Sequence, residues 1–516
     1  MMSGHKESEQ FDYIVVGSGS AGSVVASRLT EDPAVRVLVL EAGPPDDDAN
    51  IHRPSGWPAT FKTSLDWAVE TVPQKHAAGR SHYLPRGRTL GGSSSLNAMI
   101  YVRGARADYD AWAYLGSPGW SYDEVLPYFK KSEDHELGAS EHHGAGGPLH
   151  VAVLKNVNPV CAAAVEACKE IGLPFTDDCN GDQMLGASYV QATVTPDGSR
   201  CSTARCFLRP ALERGGNLAV YSGAHAHRVL FEGTRAVGVR YDKDGAMHDA
   251  FASREVIVSA GAIKSPQLLQ LSGIGNAGDL RALGIDVVAD LPGVGENLQD
   301  HVLASVIYEG KQAIPPPENQ MLESQLFWKS DPRLVAPDLQ PLFMHIPYYP
   351  PSFEGPANAY TLCAGIVRPA SRGSVKLASA DPDAPPAVDP NYLAQAADVE
   401  ALLAAVKLCR QVGEAEALAG WRAREVLPGP EVQTDEQLRD YVRRACVTYH
   451  HQAGTCKMGV DAMAVVDPEL RVYGVTGLRV VDASIMPLVV SGNTNAPSIM
   501  IGEKGADMIK QSAAGA

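Results

Sequence analysis

Three glycines and one acid near the N-terminus are the residues of this sequence best spaced to do chemistry, and the chemistry is phosphate binding. Gly17, Gly19 and Gly22 stand in Gly17-Ser18-Gly19-Ser20-Ala21-Gly22. Gly17 permits a tight turn, Gly19 lets the backbone come close to a pyrophosphate, and Gly22 lets a helix pack on a strand. The free N–H groups at the helix start would meet the phosphate charge with the dipole in their favour. Glu41 is placed to accept a hydrogen bond from an adenosine ribose hydroxyl. A glycine triplet alone often marks no more than a turn, so the elements around it decide. Tyr13–Val16 is a short apolar, β-branched run that reads as a buried parallel strand, Val24–Leu29 take up helical spacing, and Val35–Leu40 reads as a second strand. Strand, glycines, helix, strand and acid in that order make a dinucleotide-binding unit, which does not by itself distinguish NAD from FAD.

The 516 residues are too many for one core and fit about two domains. With 45% hydrophobic and 20% charged residues the composition is that of an ordinary globular enzyme. A formal charge of −16 argues against a nucleic-acid partner, which requires a basic face. No apolar run approaches the ~20 residues of a membrane span, and MMSGHKESEQ lacks an apolar signal region. Nine cysteines without C-x-x-C spacing, Cys201 and Cys206 being the closest pair, predict reduced thiols in a cytoplasmic protein. Cys456 is read as a small buried packing residue. The histidines show no H-E-x-x-H spacing, so no catalytic metal is expected.

Longer segments resemble the glucose–methanol–choline family of flavoprotein oxidoreductases, closest to its choline dehydrogenase-like branch. They are GRTLGGSSSLNAMIYVRGARADYD (87–110), GAIKSPQLLQLSGIG (261–275), LPGVGENLQDH (291–301), HHQAGTCKMG (450–459), LRVVDASIMP (478–487) and SGNTNAPSIMIGEKGADMI (491–509). The resemblance runs from about residue 11 to about 510, with the motifs in the family's order. It implies an α/β (α+β overall) architecture, with a Rossmann-type FAD-binding domain and a second, mixed-sheet substrate-binding domain. The expected FAD-binding domain is discontinuous, 1–149, 216–305 and 456–516, and the substrate domain takes 150–215 and 306–455. Within the latter, 310–339 is the expected substrate-access loop or lid, its prolines preventing regular structure. Phe327 and Trp328 there read as lid or core, with Trp328 favoured as core.

The resemblance further implies an alcohol substrate, hydride transfer to flavin N5, and reoxidation by dioxygen or another acceptor. His451 matches the family's histidine in the H-x-x-G-T pattern; an imidazole can take the hydroxyl proton or hold it and stabilise the alkoxide. His450 is its rival, but neighbours in an extended segment point to opposite faces. Gln452 stands where many relatives have proline and could add a polar group near the substrate. Asn493, ten residues before Glu503, matches the partner position; an amide can only donate to the alcohol oxygen. For the cofactor the same carry-over assigns Gly17, Gly19, Ser20, Ala21, Gly22, Glu41 and Ala42 at the first unit. It then assigns Gly91, Gly92, Ser93, Asn97 and Ala98 beside the flavin and pyrophosphate, and Ala226 at adenine. Asp482 and Ala483 fall at the ribityl chain and pyrophosphate, and Asn493, Thr494 and Asn495 at the flavin ring. Leu96 replaces the histidine through which some relatives attach FAD, so the cofactor is expected to be non-covalent.

The expected substrate is an aryl, furanic, allylic or other hydrophobic primary alcohol, with choline as the alternative. Phe343, Tyr348, Tyr349 and Phe353 could supply either an apolar pocket or the aromatic cage that a trimethylammonium group needs. A hydroxynitrile lyase-like enzyme that keeps FAD without net redox chemistry is the alternative of another class.

Overall fold

The computed structural model describes residues 10–515; most of the N-terminal stretch read for a signal lies outside them. The first βαβ unit forms where the pattern places it, as strand Gln10–Val16, helix Gly22–Leu29 and strand Val37–Glu41. These strands pair in parallel, and Leu218–Ser222 extends the sheet beyond Val37–Glu41. On the other side Gln10–Val16 lies parallel to the long strand Ala246–Val258, whose C-terminal end also pairs with Leu478–Val480. The N-terminal half of that long strand turns antiparallel against Arg235–Lys243, which in turn pairs with Ala224–Glu232. The result is a seven-stranded mixed sheet. Its central strands are apolar throughout because helices cover them, as parallel strands require.

A second seven-stranded sheet is built from Gly186–Tyr189, Val302–Gly310, Leu322–Phe327, Leu342–Met344, Ala359–Ile366, Arg422–Leu427 and Val447–Thr448. Its pairings are all antiparallel, so mixed pairing belongs to the cofactor sheet. Helices Ala396–Glu414 and Asp435–Ala445 bury their apolar stripes on this sheet around Tyr308, Leu402, Val406 and Tyr441.

Two features differ from what the residue pattern predicts. The 310–339 segment is not uniformly irregular: Leu322–Phe327 is an interior strand with all six residues buried, paired with Leu342–Met344 on one side and Gly186–Tyr189 on the other. Phe327 is core, and the half-buried Trp328 packs against the substrate-side core. Cys201 and Cys206 are joined by a disulfide, their Cα atoms 6.0 Å apart. The chain coils into a helical turn just after Cys201, which stacks residues five apart on one face. The reduced-thiol argument for a cytoplasmic location therefore does not hold. The seven other cysteines are free and buried, Cys456 among them. Cys201, Cys206, Phe207 and Leu208 pack into the core of the first sheet. Among the described residues no helix is long and apolar enough to cross a membrane.

Candidate active site

One long cavity runs between the two sheets. One end is walled by Gly17, Gly19, Ser20, Ala21, Glu41 and Ala42, with Ala226 close to them, and the walls also include Gly92, Ser93, Asn97, Ala98, Asp482, Ala483, Thr494 and Asn495. The turn after Gln10–Val16 holds the shape that the glycines predict. Gly17 has φ +98°, and a Cβ there would lie 2.5 Å from the Ser259 carbonyl oxygen. A Cβ on Gly22 would lie 2.0 Å from the Gly17 oxygen, whereas one on Gly19 would meet nothing within 4 Å. Gly19 therefore presents bare backbone to the cavity, and Gly22 acts by packing without lining it. Gly91 likewise stays off the cavity wall: its φ of +86° makes the turn that puts Gly92 against Gly19. Its expected contact with the cofactor is thus indirect, because Ser94 and Ser95 fill its open side.

Glu41 braces the glycine turn. Its carboxylate accepts Ser18 N–H at 3.1 Å and Ser18 Oγ at 2.7 Å on Oε2, and Gly43 N–H at 2.9 Å on Oε1. The second lone pair of Oε1 is left for a ribose hydroxyl. Asn495 Oδ1 accepts Ser20 Oγ at 2.7 Å, tying the final helix to the turn. Asp482 accepts Gly261 N–H at 2.9 Å and Ser484 N–H at 2.8 Å, as well as Ser265 Oγ. Bare glycine backbone, a braced acid beyond the second strand and a cavity reaching Ala226 fit an adenine dinucleotide.

At the other end stands His451, 7% exposed. Its Nε2 is 3.2 Å from Asn493 Nδ2, and its Nδ1 is 2.9 Å from His301 Nδ1. The network assigns the protons. Gln340 Nε2 donates to Gln325 Oε1 at 3.1 Å and to Asn493 Oδ1 at 3.0 Å, which turns the asparagine NH₂ towards His451. An amide NH₂ only donates, so neutral His451 keeps its lone pair on Nε2 and its proton on Nδ1, given to His301. Burial, with His301, His450 and Arg86 close by, holds the His451 pKa well below the ordinary imidazole value. The ring is a neutral base before any substrate arrives.

Asp300 fixes the backbone that carries it. Oδ1 accepts His451 N–H at 2.9 Å; Oδ2 accepts Thr448 Oγ1 at 2.6 Å, Gln452 Nε2 at 2.7 Å and the Tyr392 hydroxyl. Gln452 thus spends its NH₂ on the support of the turn and not on substrate. His450 departs from the extended geometry expected of it: φ is +67°, and both histidines reach the cavity. Its carbonyl accepts Arg86 Nη2 at 2.6 Å, but its Nδ1 has no partner, and burial and Arg86 bring its pKa down to about 3.

The walls beside His451 are apolar: Trp57, Phe61, Leu303, Leu342, Met344 and Tyr348. Of the four aromatic residues expected there only Tyr348 lines the cavity. Strand alternation turns Leu342 and Met344 inward and Phe343 into the core behind, while Tyr349 and Phe353 pack on the far side of the sheet. Trp57 and Phe61, from a segment without regular pattern, take their place. Among the described residues the acids on the cavity wall are Glu41 and Asp482, both in the dinucleotide half; beside the histidines Arg86 lines the wall, with Asp300 buried behind them. Two histidine–carboxylate groups also come together: Glu133, His135 and His143 away from the cavity, and His225, His227 and Asp383, of which His225 lines the cavity beside Ala226. The first is already matched by Arg103, 2.7 Å from Glu133.

A neutral histidine and an amide donor thus face a dinucleotide cavity, and the chain as a whole is an FAD-dependent oxidoreductase acting on CH–OH donors. The chain belongs to the GMC oxidoreductase family, whose N-terminal model matches residues 11–303 and whose C-terminal model matches 369–502. It is 46% identical to human mitochondrial choline dehydrogenase, over 98% of this chain and 91% of that protein. Against the oxygen-dependent choline dehydrogenase of Chromohalobacter salexigens the identity is 42%, over 98% and 95%. Among solved structures, pyridoxine 4-oxidase from Mesorbium loti superposes with a TM-score of 0.93 at 38% identity, over 96% of this chain and 98% of that one. A fungal aryl-alcohol oxidase gives 0.85 at 25% identity, over 98% and 99%.

Proposed function

We propose that the protein oxidises an uncharged, apolar primary alcohol to its aldehyde, with His451 as the base and Asn493 as the donor to the alcohol oxygen. FAD, when bound, supplies the hydride acceptor. The observation that carries the reading is the pair itself: a lone pair on His451 Nε2 and an N–H on Asn493 Nδ2, 3.2 Å apart and facing one cavity. A hydroxyl seated between them gives its proton to Nε2 and receives a hydrogen bond from Nδ2, which stabilises the alkoxide character that develops as hydride leaves. His301 accepts the Nδ1 proton and keeps the ring in register. The closed apolar walls exclude water from the reacting carbon. FAD is held without a covalent bond, because Leu96 offers no nucleophile.

The substrate class rests on the walls. Trp57, Phe61, Leu303 and Met344 bury an aryl or alkyl group, and no carboxylate stands on that side of the cavity to balance a cation. Choline is the second reading, favoured by the whole-length similarity to choline dehydrogenases. Trp57, Phe61 and Tyr348 give it aromatic faces. The uncharged alcohol is placed first only on the wall beside His451, which carries no carboxylate; the similarity to choline dehydrogenases spans 98% of the chain and speaks for choline. Turnover of benzyl-type alcohols and of choline with a dye acceptor separates the two. A higher kcat/KM for choline overturns the uncharged reading.

A further inference from the structure

Three arginines are buried to within 1% exposure, Arg103, Arg200 and Arg479. Two of them face carboxylates: Arg103 lies 2.7 Å from Glu133, and Arg479 2.7 Å from Glu255. Arg200 does not. Its Nε donates to the Ile51 carbonyl at 2.6 Å, and its Nη1 to the Ser94 carbonyl at 3.1 Å and Asn97 Oδ1 at 2.8 Å. Nη2 is buried without any partner. Among the described residues no salt bridge includes Arg200. Burial alone pulls its pKa down to about 9, so it remains a cation at neutral pH. An isolated buried cation is costly unless an anion complements it.

Its place in the fold shows where that anion belongs. Ser94 sits in the turn Gly92–Ser95 that walls the dinucleotide cavity, and Asn97 lines the cavity itself. Asn97 Oδ1 is fully used, accepting Arg200 Nη1 and, at 2.9 Å, Met99 N–H. The amide is therefore turned with Nδ2 free to donate into the cavity. We propose that Arg200 is a positioning residue for the flavin of bound FAD: it orients the Asn97 amide as a donor and its unpaired charge stabilises the negative charge of the reduced ring. Charge near the ring nitrogens is a principal means by which a protein tunes a flavin. Two electrons and one proton leave the reduced ring with one negative charge, for which Arg200, behind Asn97, would be the counterion. The rival cations serve elsewhere. Arg86 has Asp300 and Asp66 close by, and Lys264 lies over Trp67, 4.2 Å from the ring centre.

The inference rests on FAD as the cofactor, and wild-type protein that takes up no FAD would remove that ground before any variant is made. On FAD-loaded protein, the two-electron midpoint potential by dye equilibration is compared for wild type, Arg200→Met and Arg200→Lys. Arg200→Met keeps the volume and loses the charge; its reduction equilibrium should fall at least tenfold, about 30 mV for a two-electron couple. Arg200→Lys keeps the charge and should stay within threefold of wild type. A Met variant within twofold of wild type overturns the proposal. If the Met variant does not fold or load, the Lys variant decides: a retained potential supports the charge role, and a tenfold loss overturns it.

Discussion

Removing the His451 ring tests the base directly. In the resting protein this imidazole is neutral, with its Nε2 lone pair beside Asn493 Nδ2 and its Nδ1 proton given to His301. His451→Ala leaves Asn493 in place, since Gln340 holds the asparagine from its other side at 3.0 Å. It also leaves the glycine turn, Glu41 and Asp482 untouched, so FAD should still bind. The loss is thus confined to proton transfer. A positioned acid–base group contributes about 10²–10⁴ in rate, or about 3–5 kcal/mol of barrier. The assay is the limiting rate of flavin bleaching when the enzyme is mixed anaerobically with saturating alcohol, and it should fall at least a hundredfold. His450→Ala should cost less than tenfold, because that ring's Nδ1 has no partner and its carbonyl, which holds Arg86, survives the substitution. Because the His451 pKa lies well below the ordinary range, the wild-type rate should be flat through pH 6–8, falling only in stronger acid. Reversed losses for the two alanine variants would refute the reasoning.

Asn493→Ala should slow flavin reduction by up to about 3–4 kcal/mol of barrier, the scale of one oriented donor, without changing the pH profile; a wild-type rate at saturating alcohol would put the side chain outside the reacting centre. Acid should destabilise the fold early. His82, His301 and His345 are buried, with pKa values brought down to about 3, 3 and 4. Depressed histidines favour unfolding once the pH drops below the unfolded value near 6.5. The three histidines should lower the unfolding free energy between pH 7 and 5.5, against a smaller opposing gain from Glu41, Asp108, Asp300 and Asp482, whose pKa values burial raises, seen as a lower urea midpoint; an unchanged midpoint contradicts it. Acid precipitation should release yellow flavin to the supernatant, and colour kept in the pellet would mean a covalent link that Leu96 does not provide.

Local order carries most of what could be read in advance. The first βαβ unit, the helix Ala396–Glu414 and the final helix Asn495–Ala514 are legible because glycine punctuation and apolar period act over a few neighbouring residues. The His451 and Asn493 pair was legible through motif register alone; that the two meet depends on residues 42 positions apart folding together. What was missed is relational. His301 stands in a quoted motif, but nothing in the sequence says that it faces His451. Trp57, Phe61 and Arg86 come from a segment without period, so their convergence on the cavity leaves no pattern. Phe343 was misplaced because three strand residues are too few to reveal which face is inward. The turn that joins Cys201 to Cys206 is likewise set by packing and not by spacing.

The proposed reaction is oxidation of an uncharged primary alcohol by FAD, with His451 as base, in the cavity between the two sheets. The most direct measurement is anaerobic single-turnover mixing of the FAD-loaded enzyme with a benzyl-type alcohol carrying deuterium on the carbinol carbon, with the unlabelled alcohol alongside. The account predicts bleaching of the flavin, one aldehyde per flavin, and slower bleaching with the deuterated alcohol. A flavin that stays yellow with every uncharged alcohol tried, or that bleaches only with choline, would contradict it.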